Sequence, residues 1–290
     1  MKDLWLVYAV DRSVRTVVRS LIRSPETSMA TGTHKADGAG QTVRAVDRAL
    51  QIMSLFDEGR DTITLKDVLA KTKLAKTTAI RLIQTLEHNG LLQSNGNGEL
   101  IGGLALMRWA NLAARTWMLP VEAQTILESL ASTCRETVNL YVRRDIYRVC
   151  LAQQEGPQTL RQVVRVGDHL PLWAGGAAKI LLLEASPELL LAVARDSPYG
   201  ASHVKTLEQW VAQARELGYA TSAGERELGL ASIAVPLRNR SGSLLAALSL
   251  GGPSERFGSD RISEFVHELT TTADVLRADG LVEHLPTQTT

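Results

Sequence analysis

Five basic side chains crowd into the stretch from Lys66 to Arg81: Lys66, Lys71, Lys73, Lys76 and Arg81 face one acid, Asp67, a local net of +4 in a chain whose formal net charge is only +1. Positive charge concentrated in this way on a near-neutral chain is suited to holding phosphates. A second cluster is Ala174-Gly175-Gly176-Ala177. Small residues at the start of a helix leave backbone N–H groups and the positive end of the helix dipole open to an anion, a carboxylate seat that needs no arginine. Side chains that could do covalent chemistry lack companions. Ser232, Ser249, His169 and His203 are present without a GxSxG elbow, a metal-spaced His/Asp set or a phosphate loop, so neither an enzyme nor a cofactor is expected.

The elements that must position the basic cluster follow from apolar spacing. Leu65, Val68 and Leu69 lie at i, i+3 and i+4, and Ile80, Ile83 and Leu86 repeat every three residues after a break at Thr72 to Leu74, which gives two amphipathic helices joined by a tight turn. Thr62 or Thr64 can cap the first helix, and the second opens at Lys76 and Thr77, whose hydroxyl is placed to accept an orphan N–H. The second helix stops at Asn89-Gly90. Leu91 and Leu92 then begin a strand, Asn95-Gly96-Asn97-Gly98 turns it, and Glu99 to Ile101 returns. This is a winged helix-turn-helix, an arrangement that lays the second helix in a DNA major groove and the hairpin against the backbone. With Ile80 and Ile83 turned to the core, Lys76, Thr77, Thr78 and Arg81 are the residues that reach double-stranded DNA. Arg81 suits a bidentate contact to guanine and Lys76 a phosphate, while Lys66, Lys73, Asn95 and Asn97 flank them. Two such helices about one DNA turn apart, ~34 Å, would read a palindrome. The reading from another class is a winged module that binds RNA or protein, which the basic patch disfavours.

The rest of the chain sets the frame. With 44% apolar and 22% charged residues over 290 positions, there is room for two cores. No apolar run is long enough to span a bilayer, and Leu4 to Val10 is too short for a secretory signal, so the cytoplasm is the expected compartment. Cys134 and Cys150 are the only cysteines and read as buried thiols. Residues 1–40 form an extension in which Val7, Val10, Val14, Val17, Val18, Leu21 and Ile22 fall at helical spacing among arginines, followed by a flexible link from Thr27, with Met29 an alternative start. Residues 41–103 form the winged unit, opened by a Val43 to Glu58 helix whose Val43, Val46, Leu50, Met53 and Phe56 pack beneath the helix pair. Residues 104–118 form a linker helix apolar almost all round, suited to burial against a neighbouring subunit. Residues 119–280 alternate helices with hairpin-joined strands, and 281–290 form a tail. Helices are expected at 121–135, 175–184, 207–217 and 259–276, and strands at 138–142, 146–153, 160–166, 233–237 and 244–250. These joins predict a mainly antiparallel sheet flanked by helices.

The segments TVRAVDRALQIMSLF, LAKTTAIRLIQTLEHNGLL, RVGDHLPLWAGGAAKILL, LGYATSAGERELGLASIAVPL and LLAALSLGGPSERF resemble the IclR family of bacterial transcriptional regulators, in order, from about Gln41 to Ala278. The resemblance implies an α+β chain: a winged helix-turn-helix, a linker helix, and a GAF-like C-terminal effector-binding domain, assembled as a dimer or dimer of dimers on a palindromic operator. To Gly176 and Ala177 of the helix start, where a small-molecule carboxylate effector is expected, the resemblance adds Ser222, Leu230, Ser232, Ser249 and Gly251, with Leu170 and Trp173 as apolar walls. Trp173 is the reason to include aromatic acids. The chain departs from the family pattern at Ala75, where proline is common, at Ile101, where arginine is common, at Trp173 in place of histidine and at Ser222 in place of an acid.

Overall fold

A computed structural model describes residues 43–285 except Glu58, together with Thr287. The expected amphipathic helix and link before residue 41 therefore lie outside the described residues. The chain divides after Gly103 into two compact units.

The first unit contains α1 (Arg44–Met53), β1 (Thr62–Thr64), α2 (Leu65–Thr72), α3 (Lys76–His88), β2 (Leu92–Ser94) and β3 (Glu99–Gly102). Its core is Ile52, Ile63, Val68, Ala79, Ile83, Leu86, Leu92 and Leu100. Helix α1 ends earlier than its pattern suggests. Ser54 Oγ donates back to the Leu50 carbonyl, and Asp57 Oδ1 accepts from the Gly59 N–H in a local turn. Its inward face is also different: Ile52 is buried and Ala49, Met53 and Phe56 pack on the core, while Val43, Val46 and Leu50 stay exposed. Strand β1 was hidden in the capping threonines. Thr62 pairs with Ile101 in a three-stranded antiparallel sheet of order β1-β3-β2, so only Thr64 caps α2. The cap is reciprocal, with Asp67 N–H donating to Thr64 Oγ1 and Thr64 N–H and hydroxyl donating to Asp67 Oδ2. These bonds hold the Asp67 carboxyl below its ordinary pKa. Thr64→Ala should lower stability by about 1 kcal/mol, read as a shift of the urea midpoint at neutral pH. A lowered folded pKa means that the carboxylate's own share of the cap is present above the ordinary value of 3.8 and is lost as pH falls through the folded one.

The second unit contains α4 (Ala105–Trp117), α5 (Val121–Cys134), β4 (Thr137–Arg144), β5 (Tyr147–Gln154), β6 (His169–Pro171), α6 (Gly176–Leu181), α7 (Pro187–Asp196), α8 (Val204–Leu217), β7 (Ala220–Ala223), β8 (Leu230–Arg238), β9 (Leu244–Pro253) and α9 (Ser259–Ala278). The strands form one antiparallel sheet of order β6-β5-β4-β9-β8-β7. Side chains alternate across it. Ala231, Ile233, Val235 and Leu237 of β8 pack with α5 and α9 on one face, and Ala234 and Ala247 pack with α6, α7 and α8 on the other. Helix α4 buries none of its residues; Leu104, Met107 and Trp109 are 75%, 66% and 60% exposed.

The expected strand over 160–166 does not form. Leu160, Val163 and Val166 are exposed, only Val164 of the apolar run is buried, and β6 takes the edge of β5 by pairing Val149 with His169. The segment instead closes in a turn where the Asp168 carboxylate accepts from the Arg165 N–H. Helix α7 was not anticipated, although Ser186 caps it by accepting from the Leu189 N–H and Pro187 opens it. Cys134 and Cys150 are buried free thiols, both pushed up to about 12 chiefly by desolvation. The folded chain should therefore resist iodoacetamide at pH 8 and become doubly alkylated in urea, as mass spectrometry would report.

Candidate nucleic-acid interface and ligand cleft

Helices α2 and α3 present one basic surface. Lys66, Lys73, Lys76 and Arg81 are all exposed, and none forms an ion pair among the described residues. Lys73 closes α2 in the left-handed conformation, φ 57°, which turns the chain sharply into α3. Thr77 and Arg81 stand one helical turn apart on the same exposed face, and Thr78 is half-buried. The inward line of α3 is Ala79, Ile83 and Leu86; Ile80 is only partly buried.

Thr77 is not the cap of α3. Ala75 holds that position, with φ −62° and ψ 140° and no side-chain hydrogen bond, and Thr77 lies inside the helix. The leading N–H groups of a 13-residue helix are therefore without a side-chain acceptor and open to a phosphate. In the wing, Asn95 serves the turn. Its Nδ2 donates to Glu99 Oε2 and its Oδ1 accepts from the Asn97 N–H, leaving the exposed Asn97 side chain as the freer of the two. Ile101, half-buried in the central strand β3, pairs with both Thr62 and Gln93.

In the second unit a small cleft lies at one end of β8, with a cavity volume of about 40 Å³ opening to solvent. Ser222, Leu230 and Ser232 line it, together with Gly175 at the head of α6 and Arg148 from β5. Gln162, Glu225, Arg226, Glu227 and Ala231 complete the wall. Gly175 has φ 105°, which disfavours any side chain. Gly176 is required by proximity: a Cβ there would stand 3.0 Å from the Ala220 carbonyl and 3.1 Å from Ser232 Oγ.

The helix start is not an empty anion seat. Gly175 N–H donates to Glu225 Oε2 at 2.9 Å and Gly176 N–H donates to Ser232 Oγ at 3.1 Å. Helix α6 is also only six residues long, which weakens its dipole. Lys179 Nζ donates to Glu225 Oε1 and to the Thr221 carbonyl, and lies 4.0 Å from the Trp210 ring centroid.

The cleft wall also holds an arginine that the sequence reading did not include. Arg148 is 5% exposed and Nη1 donates to the carbonyls of Pro171 and Ala174, while Nε is buried without a partner. Burial pulls its pKa down to about 10, so the guanidinium remains charged at neutral pH. The sequence offered no warning: Arg148 follows a turn in a strand whose alternation gives no sign that this position is enclosed.

The remaining expected residues lie apart from the cleft wall. Trp173 packs edge-on to Tyr199, and its carbonyl contacts His203 Nε2. Leu170 and Ala177 belong to the core on that face of the sheet. Ser249 is buried and its hydroxyl donates to the Asn139 carbonyl. Gly251 is covered by the end of the Gln162 side chain, which occupies the space a Cβ would need.

The family model described as IclR helix-turn-helix domain matches residues 45–96, and that described as Bacterial transcriptional regulator IclR C-terminal matches residues 114–278. The chain belongs to the IclR family of transcriptional regulators. The HTH-type transcriptional repressor AllR of Escherichia coli K12 is 28% identical to it over 256 residues, covering 85% of this chain and 94% of AllR. The regulator XynR of the same strain is 28% identical over 234 residues, covering 78% and 93%. A crystal structure of an IclR-family regulator from Rhodococcus sp. shares 41% identity over 87% of this chain and 99% of its own, with a TM-score of 0.58. An IclR homologue from Microbacterium hydrocarbonoxydans, solved with 4-hydroxybenzoate, shares 24% identity over 81% and 98%, with a TM-score of 0.68. In this IclR-family chain the winged unit is the DNA-binding domain and the sheet domain is of the effector-binding type. No described helix is long and apolar enough to cross a membrane, and no group of His, Cys, Asp and Glu among the described residues could hold a metal ion.

Proposed function

We propose that this regulator binds a palindromic double-stranded DNA operator as a dimer or dimer of dimers in the cytoplasm, and that a small organic carboxylate in the C-terminal cleft controls that binding. The observation that carries the DNA half is the exposed, unpaired basic surface of α2 and α3, with Thr77 and Arg81 on one face of the recognition helix. Arg81 reads a base edge, Lys76 and the open start of α3 hold phosphate, and Lys66, Lys73 and Asn97 steady the backbone on either side. Asn95 contributes by shaping the wing. The uncovered apolar residues of α4 supply the surface for a second copy.

The effector half rests on Ser222, Leu230 and Ser232 gathered around one cleft whose wall is mostly polar and charged, with Arg148 among its residues. Binding of 4-hydroxybenzoate by the Microbacterium homologue makes aromatic acids the first class to try. An effector that favours one arrangement of the dimer shifts the spacing of its two DNA heads, which accommodates repression and activation alike. Selection from random-sequence duplexes tests the reading. It should enrich a palindrome with arms one or more helical turns apart, whereas enrichment of no motif, or tighter binding to RNA, would overturn it.

A further inference from the structure

Three cations and two carboxylates meet in and beside the cleft, and they are not paired alike. Lys179 Nζ lies 2.5 Å from Glu225 Oε1, and Arg226 Nη2 lies 4.0 Å from Glu227 Oε2. Arg148 has no ion pair among the described residues. Its contacts are neutral: the carbonyls of Pro171 and Ala174, the Tyr141 ring 5.4 Å away and the backbone of Gly175, where a Cβ would sit 3.1 Å from Nη2; Arg226 opposes its charge and Glu225, already held by Lys179, favours it without pairing with it. An isolated buried charge is costly unless something compensates it. Two carbonyl oxygens satisfy Nη1 but leave the charge unneutralised and the buried Nε without an acceptor.

We propose that Arg148 determines the specificity of this cleft, taking the carboxylate of the ligand, and that this one buried cation without an ion pair selects monocarboxylates over dicarboxylates and neutral analogues. This rests on the cleft being the effector site. Glu225 reinforces the choice. Fixed on Gly175 N–H and Lys179, it occupies the anion position at the helix start and would repel a second ligand carboxylate. The ligand's first carboxylate is thereby directed to Arg148, whose planar fork suits it. Ser222 and Ser232 are left to meet the ligand's neutral polar groups.

Calorimetric titration of the full chain tests this with benzoate and pyruvate as monoanions, phthalate and oxalate as dianions, and benzamide as the neutral probe. At least one monoanion should bind the unaltered chain at least about tenfold more tightly than its dianionic partner and benzamide. Arg148→Met should weaken that monoanion by about 10- to 100-fold, the range for losing a charge-assisted contact, and should weaken benzamide by much less. Arg148→Lys should recover part of the loss. Glu225→Gln, which leaves Arg148 intact, should improve the dianion relative to the monoanion by about tenfold. Equal monoanion affinity in Arg148→Met, or equal losses for benzoate and benzamide, would overturn the assignment while leaving the cleft as the effector site. Failure of the unaltered chain to bind any probe would overturn both.

Discussion

Reversing two charges on the recognition helix, Lys76→Glu with Arg81→Glu, should reduce operator affinity by at least about 100-fold at moderate salt. Each lost base or phosphate contact is worth roughly 1–3 kcal/mol, and reversal adds repulsion from the phosphates. Stability should hardly move, because both side chains are exposed and contribute nothing to the Ile52–Leu100 core; a change within about 0.5 kcal/mol is expected. Fluorescence anisotropy with a labelled operator, beside urea unfolding, separates the two effects. The single variants divide the roles. Lys76→Ala should weaken specific and random duplexes equally and flatten the salt dependence by about one contact per head, whereas Arg81→Ala should also relax preference at one base pair of each half-site. Undiminished binding by the double variant would remove α3 from the interface.

The second large effect lies beyond the cleft. Arg256 forks onto Glu136, Nε to Oε1 at 2.5 Å and Nη2 to Oε2 at 2.7 Å, and Glu136 is 1% exposed. The hydrogen bond to this carboxylate raises the Arg256 pKa. Arg256→Ala should destabilise the C-terminal domain by about 3 kcal/mol, because the partner carboxylate is left buried and uncompensated. Glu136→Gln in the same chain should recover part of that loss by removing the stranded charge. Arg256 Nη2 also donates to the Leu160 carbonyl, which anchors the segment that carries Gln162 to the cleft. Hydrogen exchange in residues 158–164 should therefore quicken in the variant even where the domain remains folded. Tryptophan-monitored urea unfolding gives the stability change; a shift below about 0.5 kcal/mol would show that Glu136 finds water or another partner.

What could be read from the sequence depended on whether a signal was local. The α2–turn–α3–wing succession was legible because helix spacing, the Asn89-Gly90 stop and the Asn95 to Gly98 turn act within a few residues. The β4–β5 and β8–β9 hairpins were legible for the same reason. Errors arose where tertiary partners decide. Val43, Val46 and Leu50 are as apolar as Ile52, but the sheet and α3 cover only the other side of α1. Leu160 to Val166 has strand composition, yet β6 takes the available edge. Helix α7, by contrast, carries a local start signal in Ser186-Pro187. The candidate DNA-facing residues rest on local charge, which needs no fold to be visible. Arg148 and Glu225 are 77 positions apart and meet only when β5, α6 and the loop before β8 assemble. No spacing rule connects them.

The central claim is control of operator binding by a small acid. The direct measurement is footprinting of the full chain on the DNA beside its own gene at moderate salt, with and without a panel of monocarboxylates that includes 4-hydroxybenzoate and benzoate. The account predicts a protected palindrome whose extent or strength changes with at least one acid, and no longer changes in the Arg148→Met chain. Protection that no acid alters would contradict effector control through this cleft, and protection no greater than on unrelated DNA would contradict the operator itself.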